Sequence, residues 1–203
     1  MKRVIIGITG ATGTIYGWRL MEMLRQEGET EIHLVMSKSA NLTLKMENAV
    51  DPSYINSLAH EVHSPGNIGA SISSGSFSSA GMIIAPCSIK TMSNIAMGNT
   101  GDLISRAADV ILKERRRLVV AIRETPLHAG HLGNLIKLAN LGSIIFPPVP
   151  AFYNRPKTLE EIVDQSCMRM LDQLDINLET APRWGEEGGV PAVGQKGANV
   201  QSV

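Results

Sequence analysis

Apolar residues gather along the chain in short, nearly unbroken runs at 3–8, 31–36, 82–85, 118–122 and 143–147. Continuous runs of this length, rather than alternating ones, predict strands buried on both faces. Between them, apolar positions recur at helical spacing near 14–27, 38–48, 53–62, 88–97, 101–115 and 128–140. A last helix is expected after Thr158, where Thr158-Leu159-Glu160-Glu161 has the spacing of a capping box. Strands alternating with helices predict an α/β fold, a Rossmann- or flavodoxin-like three-layer sandwich around a mostly parallel sheet. Ligands of such sheets bind at the carboxyl ends of strands, which singles out residues 10–13, 37–38, 86–88, 123–124 and 148–153.

Two stretches break the pattern. Residues 64–81 (SPGNIGASISSGSFSSAG) are too polar for core and read either as a plain flexible loop or as a backbone-rich clamp over a ligand. Residues 187–203 are rich in glycine without apolar periodicity, so one domain is expected over 1–186 and a disordered tail beyond it.

Composition narrows the classes. At 203 residues the chain is long enough for a single domain with a substantial core. Lysine plus arginine and aspartate plus glutamate both number 19, so no basic excess points to nucleic acid or to an acidic membrane. No apolar run approaches the roughly 20 residues that span a bilayer. Met1-Lys2-Arg3 leads into a strand rather than a signal peptide, and Cys87 and Cys167 lie far apart without a C-x-x-C, which suggests a reduced, cytoplasmic protein. His60-Glu61-Val62-His63 and His128-Ala129-Gly130-His131 lack the H-E-x-x-H spacing and a cysteine ligand nearby; they read as surface or helix-face histidines, and no metal is implied.

The first strand runs into Gly7-x-x-Gly10-x-x-Gly13, with a helix from about residue 14. Backbone N–H groups at such a helix start form an anion site, against the alternative of a tight turn with no ligand. A nicotinamide reading is weakened on two points and survives only for NADP, whose extra phosphate Ser37 and Lys38 could tolerate. Tyr153 and Lys157 have the spacing of a dehydrogenase pair, but Pro156 separates them and the helix signal begins only at Thr158. The second strand ends in Ser37-Lys38, with no acidic residue for a ribose.

Further along, Ser88 and Thr91 stand on the first turn of a helix, as ligand donors or as simple caps. Asp102, Arg106, Asp109 and Lys113 form one helical stripe; Asp102 and Asp109 read as solvated, and residues 115–117 as a helix end favoured by its dipole. Arg123-Glu124 places two charges at the end of a buried strand, where a functional pair is expected.

Taken together, GITGATG, VMSKSA, MENAV, SSGSF, APCSIKT, RAADVILKERR, RETPL, PAFYNRP and PRWGE, in this order up to Glu186, resemble the UbiX-like flavin prenyltransferases. The resemblance implies an enzyme that joins a dimethylallyl group from dimethylallyl monophosphate to N5 and C6 of reduced FMN. The prenylated FMN then serves a UbiD-type aromatic-acid decarboxylase. It implies flavin contacts at Gly10, Ala11, Thr12, Ser37, Ser88, Ile89, Lys90, Thr91 and Arg123. It places the prenyl phosphate at Tyr153, Arg169 and Lys113, and catalytic roles at Glu124, Lys113, Thr12 and Glu47, with Trp184 nearby. A homo-oligomer, a dodecamer, goes with the family. Thr12 replaces a common serine while keeping the hydroxyl, Gly133 stands for a usual glutamate and puts the order of 128–140 in question, and Ile68 stands where some relatives have an aromatic residue.

The residues suit that chemistry on their own terms. Ionising an allylic phosphate needs cations on the leaving group and an acid to protonate it. Lys113, Arg123 and Arg169 supply charge; Glu124, kept ionised by Arg123, could pass a proton on through Thr12. The chain has no D-D-x-x-D segment of the kind that binds a diphosphate through magnesium, which suits a monophosphate and a metal-free site. Two other readings stand beside this one. An FMN-dependent cysteine decarboxylase would need an asparagine motif where Pro86-Cys87-Ser88 stands, and a flavin-binding accessory subunit would not need Lys113, Glu124, Tyr153 and Arg169 together.

Overall fold

The structure, a computed structural model, describes residues 1–47, 50–178 and 183; the expected tail and Trp184 lie outside them. Strands β1 (Lys2–Ile8), β2 (Thr30–Met36), β3 (Glu61–His63), β4 (Gly81–Cys87), β5 (Arg117–Ile122) and β6 (Ile144–Ile145) form one sheet in the order β3-β2-β1-β4-β5-β6. Every pairing is parallel. The helices are α1 (Ile15–Glu27), α2 (Lys38–Glu47), α3 (Pro52–Leu58), α4 (Ile89–Ala96), α5 (Leu103–Lys113), α6 (Ala129–Asn140) and α7 (Leu159–Asp172).

The unbroken apolar runs are strands buried on both faces because successive side chains point to opposite sides. From β1, Val4, Ile6 and Ile8 pack with Leu20, Leu24, Cys167 and Leu171 of α1 and α7. Ile5 packs the other way, with Met92 of α4 and Leu103, Ala107 and Ile111 of α5.

Three elements differ from the sequence reading. The helix expected over 53–62 stops at Leu58: Asp51 caps it, accepting from the Ser53 amide at 2.8 Å, Pro52 opens it, and Ala59 is extended. The next residues become edge strand β3, paired with β2 through His33↔Glu61 and Val35↔His63. The strand expected over 143–147 shrinks to two residues, since Pro147 and Pro148 have no N–H for a ladder. Asp102 is not a solvated stripe residue; it caps α5 in a capping box with Ser105. At α7, Thr158 accepts from the Glu161 amide at 3.2 Å, while Glu161 reaches back to the Lys157 amide at 2.6 Å.

The 64–80 segment is a fastened strap rather than a free loop. Pro65 accepts from the Leu103 amide at 2.9 Å, Ile72 is buried, and the Arg116 guanidinium donates to Phe77 O at 2.5 Å and Gly75 O at 2.9 Å. Those contacts run along α5, from its first residue to the entry to β5.

Helix α6 runs through Gly133 without a break, and a Cβ built there meets nothing within 4 Å. Gly133→Ala is therefore expected to stabilise the fold by about 0.5–1 kcal/mol. Thermal unfolding should show a rise of roughly 1–4 °C; a fall would mean that another surface covers this face of α6.

Candidate active site

Chain order reverses between β1 and β4, so the crevice of the sheet opens at their carboxyl ends. Thr9, buried just past β1, ties the two strands together. Its amide and hydroxyl donate to Pro86 O at 3.2 and 2.7 Å, and its Oγ1 accepts from the Ser88 amide at 2.8 Å. Sequence reasoning passed over Thr9; a threonine closing an all-apolar strand was the available signal.

The turn after β1 carries Gly10, Ala11, Thr12 and Gly13. Gly13 has φ 92°, a left-handed conformation that suits glycine, and a Cβ on Gly10 would lie 2.5 Å from that of Ser39. Helix α2 crosses this edge: Thr43 donates to Gly10 O at 3.2 Å, and Glu47 on its last turn reaches the start of α1. The Glu47 carboxylate accepts from the Thr12 hydroxyl at 2.8 Å, the Gly13 amide at 2.5 Å, the Thr14 amide at 3.0 Å and the Thr14 hydroxyl at 2.5 Å. Burial pushes the carboxyl's pKa up, but donation from Thr14, Gly13 and Thr12 outweighs it and holds Glu47 below the usual carboxylate range.

This corrects the anion site expected at the glycine turn. The Gly13 and Thr14 amides are already spent on the protein's own carboxylate. Among the described residues, a helix start with open amides is that of α4. Ser88 caps it, its Oγ accepting from the Thr91 amide at 3.4 Å, and among the described residues nothing accepts from the Ile89 and Lys90 amides. Ser37, after β2, faces the same edge and accepts from the Ala40 amide at 3.1 Å. Cys87 is buried and its thiol is pushed up to about 12 by desolvation, so it is no nucleophile.

Arg123 follows β5 on the other side of the crevice. Its Nε donates to Thr12 O at 3.3 Å, and its guanidinium lies 5.9 Å from the centre of the Tyr16 ring. Glu124 does not pair with it; the exposed carboxylate accepts from its neighbour, the Thr125 amide, at 3.1 Å. The expected relay from Glu124 through Thr12 is therefore not formed, since the Thr12 hydroxyl belongs to Glu47.

The remaining expected residues are not gathered here. Lys113 ends α5, ahead of the start of β5, and pairs with Glu114, whereas Arg123 follows the end of β5. A strand of six residues separates the two by about 20 Å. Arg169 is exposed on α7 and pairs with Asp172 at 3.0 Å. Tyr153 sits in the short 3-10 turn Phe152–Asn154, outside any α-helix, as Pro156 predicts.

The fold and this crevice define an α/β flavoprotein, and the profile of the Flavoprotein family matches residues 1–171. The chain is 53% identical to flavin prenyltransferase UbiX of Salmonella typhimurium strain LT2 over 178 residues, 88% of this chain and 94% of that protein. Its structure matches that of AnUbiX (PadA1) in complex with FMN and dimethylallyl pyrophosphate, with a TM-score of 0.89 and 47% identity, covering 92% of this chain and 98% of that one. A dodecameric FMN-dependent UbiX-like decarboxylase from Escherichia coli O157:H7 matches with a TM-score of 0.87 and 44% identity over 90% and 98% of the two chains. The chain belongs to the UbiX-type flavin prenyltransferases, a family of transferases. The FMN-dependent cysteine decarboxylase TvaF, at 12% identity and a TM-score of 0.61, shares the fold alone.

Glu47→Gln keeps the size of the side chain but removes its charge and one acceptor oxygen. At about pH 7 it should cost on the order of 1–2 kcal/mol, below fully buried values because the carboxylate is part-exposed. The folded-state pKa is depressed, so the stabilisation is complete above the usual carboxylate range and lost as pH falls through the folded value. Denaturant titrations of both proteins should thus differ near neutrality and draw together as pH falls below the usual carboxylate range; a gap that stays constant would assign it to packing.

Proposed function

We propose that the chain transfers the dimethylallyl group of dimethylallyl monophosphate to N5 and C6 of reduced FMN. The prenylated product then goes to a UbiD-type aromatic-acid decarboxylase in the cytoplasm. One observation carries the reading: a crevice at the strand-order reversal with open α4 amides and Arg123 on its walls, floored by a hydroxyl–carboxylate pair. Ser88, Ile89, Lys90, Thr91, Ser37 and Arg123 offer donors for the anionic and carbonyl oxygens of FMN. Gly10, Ala11 and Thr12 let its ring approach the backbone. The two buried thiols suit a reducing cytoplasm, and among the described residues no helix is long and apolar enough to cross a membrane.

The reaction breaks the allylic C–O bond and forms a bond from the allylic carbon to N5 with loss of the N5 proton. C6 then adds across the prenyl double bond, the proton lost from C6 being matched by one gained at the other alkene carbon. Glu47, held ionised, can accept a proton passed through the Thr12 hydroxyl. Lys113, Arg169 and Tyr153 would hold the departing phosphate, and Glu124 would protonate it. Cations can stabilise that leaving group without a metal ion.

Because Lys113 stands about a strand's length from Arg123 and Glu124, we infer that one site is completed by residues of more than one copy. A dodecameric relative favours this reading. The activity is tested by anaerobic incubation with reduced FMN and dimethylallyl monophosphate, with mass spectrometry of the flavin. A flavin heavier by one C5H8 unit is expected; unchanged mass would overturn the reading.

Lys113→Ala and Glu124→Gln should each bind FMN but transfer poorly, by roughly 10²-fold or more. Reassembled from an equal mixture, they should regain about one quarter of the sites, those that draw the intact lysine and intact glutamate from different chains. No recovery would place both residues of each site on one chain.

A further inference from the structure

Beneath the strap lies a cluster that prenyl transfer does not use. His33 of β2 and His63 of β3 are buried, at 1% and 5% exposure, with His33 Nδ1 3.0 Å from His63 Nε2. Glu61, two residues before His63 and therefore on the same face of β3, puts carboxylate oxygens 3.4 Å from His33 Nδ1 and 3.5 Å from His63 Nδ1. Phe77 of the strap closes the cluster, its ring edge-on to His33 at 4.8 Å. These are not the surface or helix-face histidines expected of the His60–His63 string: the helix ends early, and β3 carries His63 inward.

With both imidazoles neutral, hydrogen bonding does not satisfy this cluster. His33 Nε2 lies 3.0 Å from Glu31 Oε1. Hydrogen bonding to Arg3, at 3.0 Å, holds Glu31 below the usual carboxylate range, so Glu31 only accepts and Nε2 carries the hydrogen. His33 Nδ1 is then a lone pair. If neutral His63 donates to it from Nε2, the His63 Nδ1 lone pair points at the Glu61 carboxylate. If His63 instead donates from Nδ1, two nitrogen lone pairs meet at 3.0 Å. A second proton on either imidazole would satisfy these contacts: His33 donating from both nitrogens bonds Glu31 and His63 while His63 donates from Nδ1 toward Glu61.

A metal cation held by the lone pairs resolves the conflict with both imidazoles neutral. Ligands bound to tetrahedral zinc at about 2.0–2.1 Å stand roughly 3.3 Å apart, close to the 3.0 and 3.4 Å found here, and the three donors lie within 4.8 Å of one another. We propose that His33 Nδ1, His63 Nε2 and Glu61 form a structural binding site for a zinc-class divalent transition metal, separate from the flavin crevice. Two imidazoles with one carboxylate suit zinc and its neighbours rather than magnesium or calcium, which favour oxygen ligands. The Glu31–His33 contact is the outer carboxylate that fixes a ligating imidazole. Water from the exposed side of Glu61 fills the fourth position. The metal pins β3, three residues long, to β2 and anchors the start of the strap.

The test uses the full-length, assembled protein, stripped of metal and dialysed against zinc chloride, with elemental analysis; cobalt(II) titration gives a spectroscopic readout. One zinc per chain and the visible bands of tetrahedral cobalt are expected. Glu61→Gln, half-exposed and safe for folding, should weaken zinc binding at least tenfold, and Glu31→Gln roughly 10–100-fold without changing the stoichiometry. His63→Gln should abolish the cobalt bands. The proposal is overturned if the parent takes up no zinc above buffer level. It also falls if Glu61→Gln and His63→Gln both bind as the parent does, which would place the metal elsewhere, such as at the stacked pair His128 and His131.

Discussion

The carboxylate of Glu47 in the glycine turn organises the catalytic edge of this protein. Four donors from Thr12, Gly13 and Thr14 converge on it. A helix start concentrates unpaired N–H groups and positive potential, and such a place calls for an anion. Here the anion is internal, so the turn keeps its shape before any substrate arrives. The same contact fixes α2 across the carboxyl edge and assigns the Thr12 hydroxyl to Glu47 rather than to Glu124. The amides of Ile89 and Lys90 at the start of α4 are left without an acceptor among the described residues.

Much of the architecture was legible because it rests on period. Both-face burial of β1, β2, β4 and β5 writes unbroken apolar runs, and the helices between them write a 3.6-residue repeat. What escaped was too short to have a period. Strand β3 is three residues, and its pairing with β2 depends on a partner some thirty positions away, so 60–63 looked like the tail of a helix. The expected strand at 143–147 was overruled by a simpler rule, the missing N–H of two prolines.

The site was legible in its residue types but not in its wiring. Gly10, Gly13, Ser88 and Arg123 stand where strand ends were expected to place them. Which acid meets which hydroxyl follows from helix direction, which no local string records. Glu47 and Glu124 were both candidate acids, and only the crossing of α2 over the turn decides that Thr12 belongs to Glu47. Lys113 is the opposite case. Its family motif assigns it to the site, while its position at the end of α5 sends it to the far edge of the sheet. A motif names residue types, while the fold decides which of them one chain brings together.

The two outermost strands have a further consequence. β3 offers three residues and β6 two, and Pro147 and Pro148 follow at once on the β6 side. Neither edge presents the long row of unpaired amides that would let a neighbour add a strand. Any neighbour would therefore meet this sheet through side chains on helices and loops, not by prolonging it. Contacts of that kind can be traded one substitution at a time while the backbone stays untouched. Such contacts are thus free to drift in evolution without endangering the fold, and neither short edge invites strand addition.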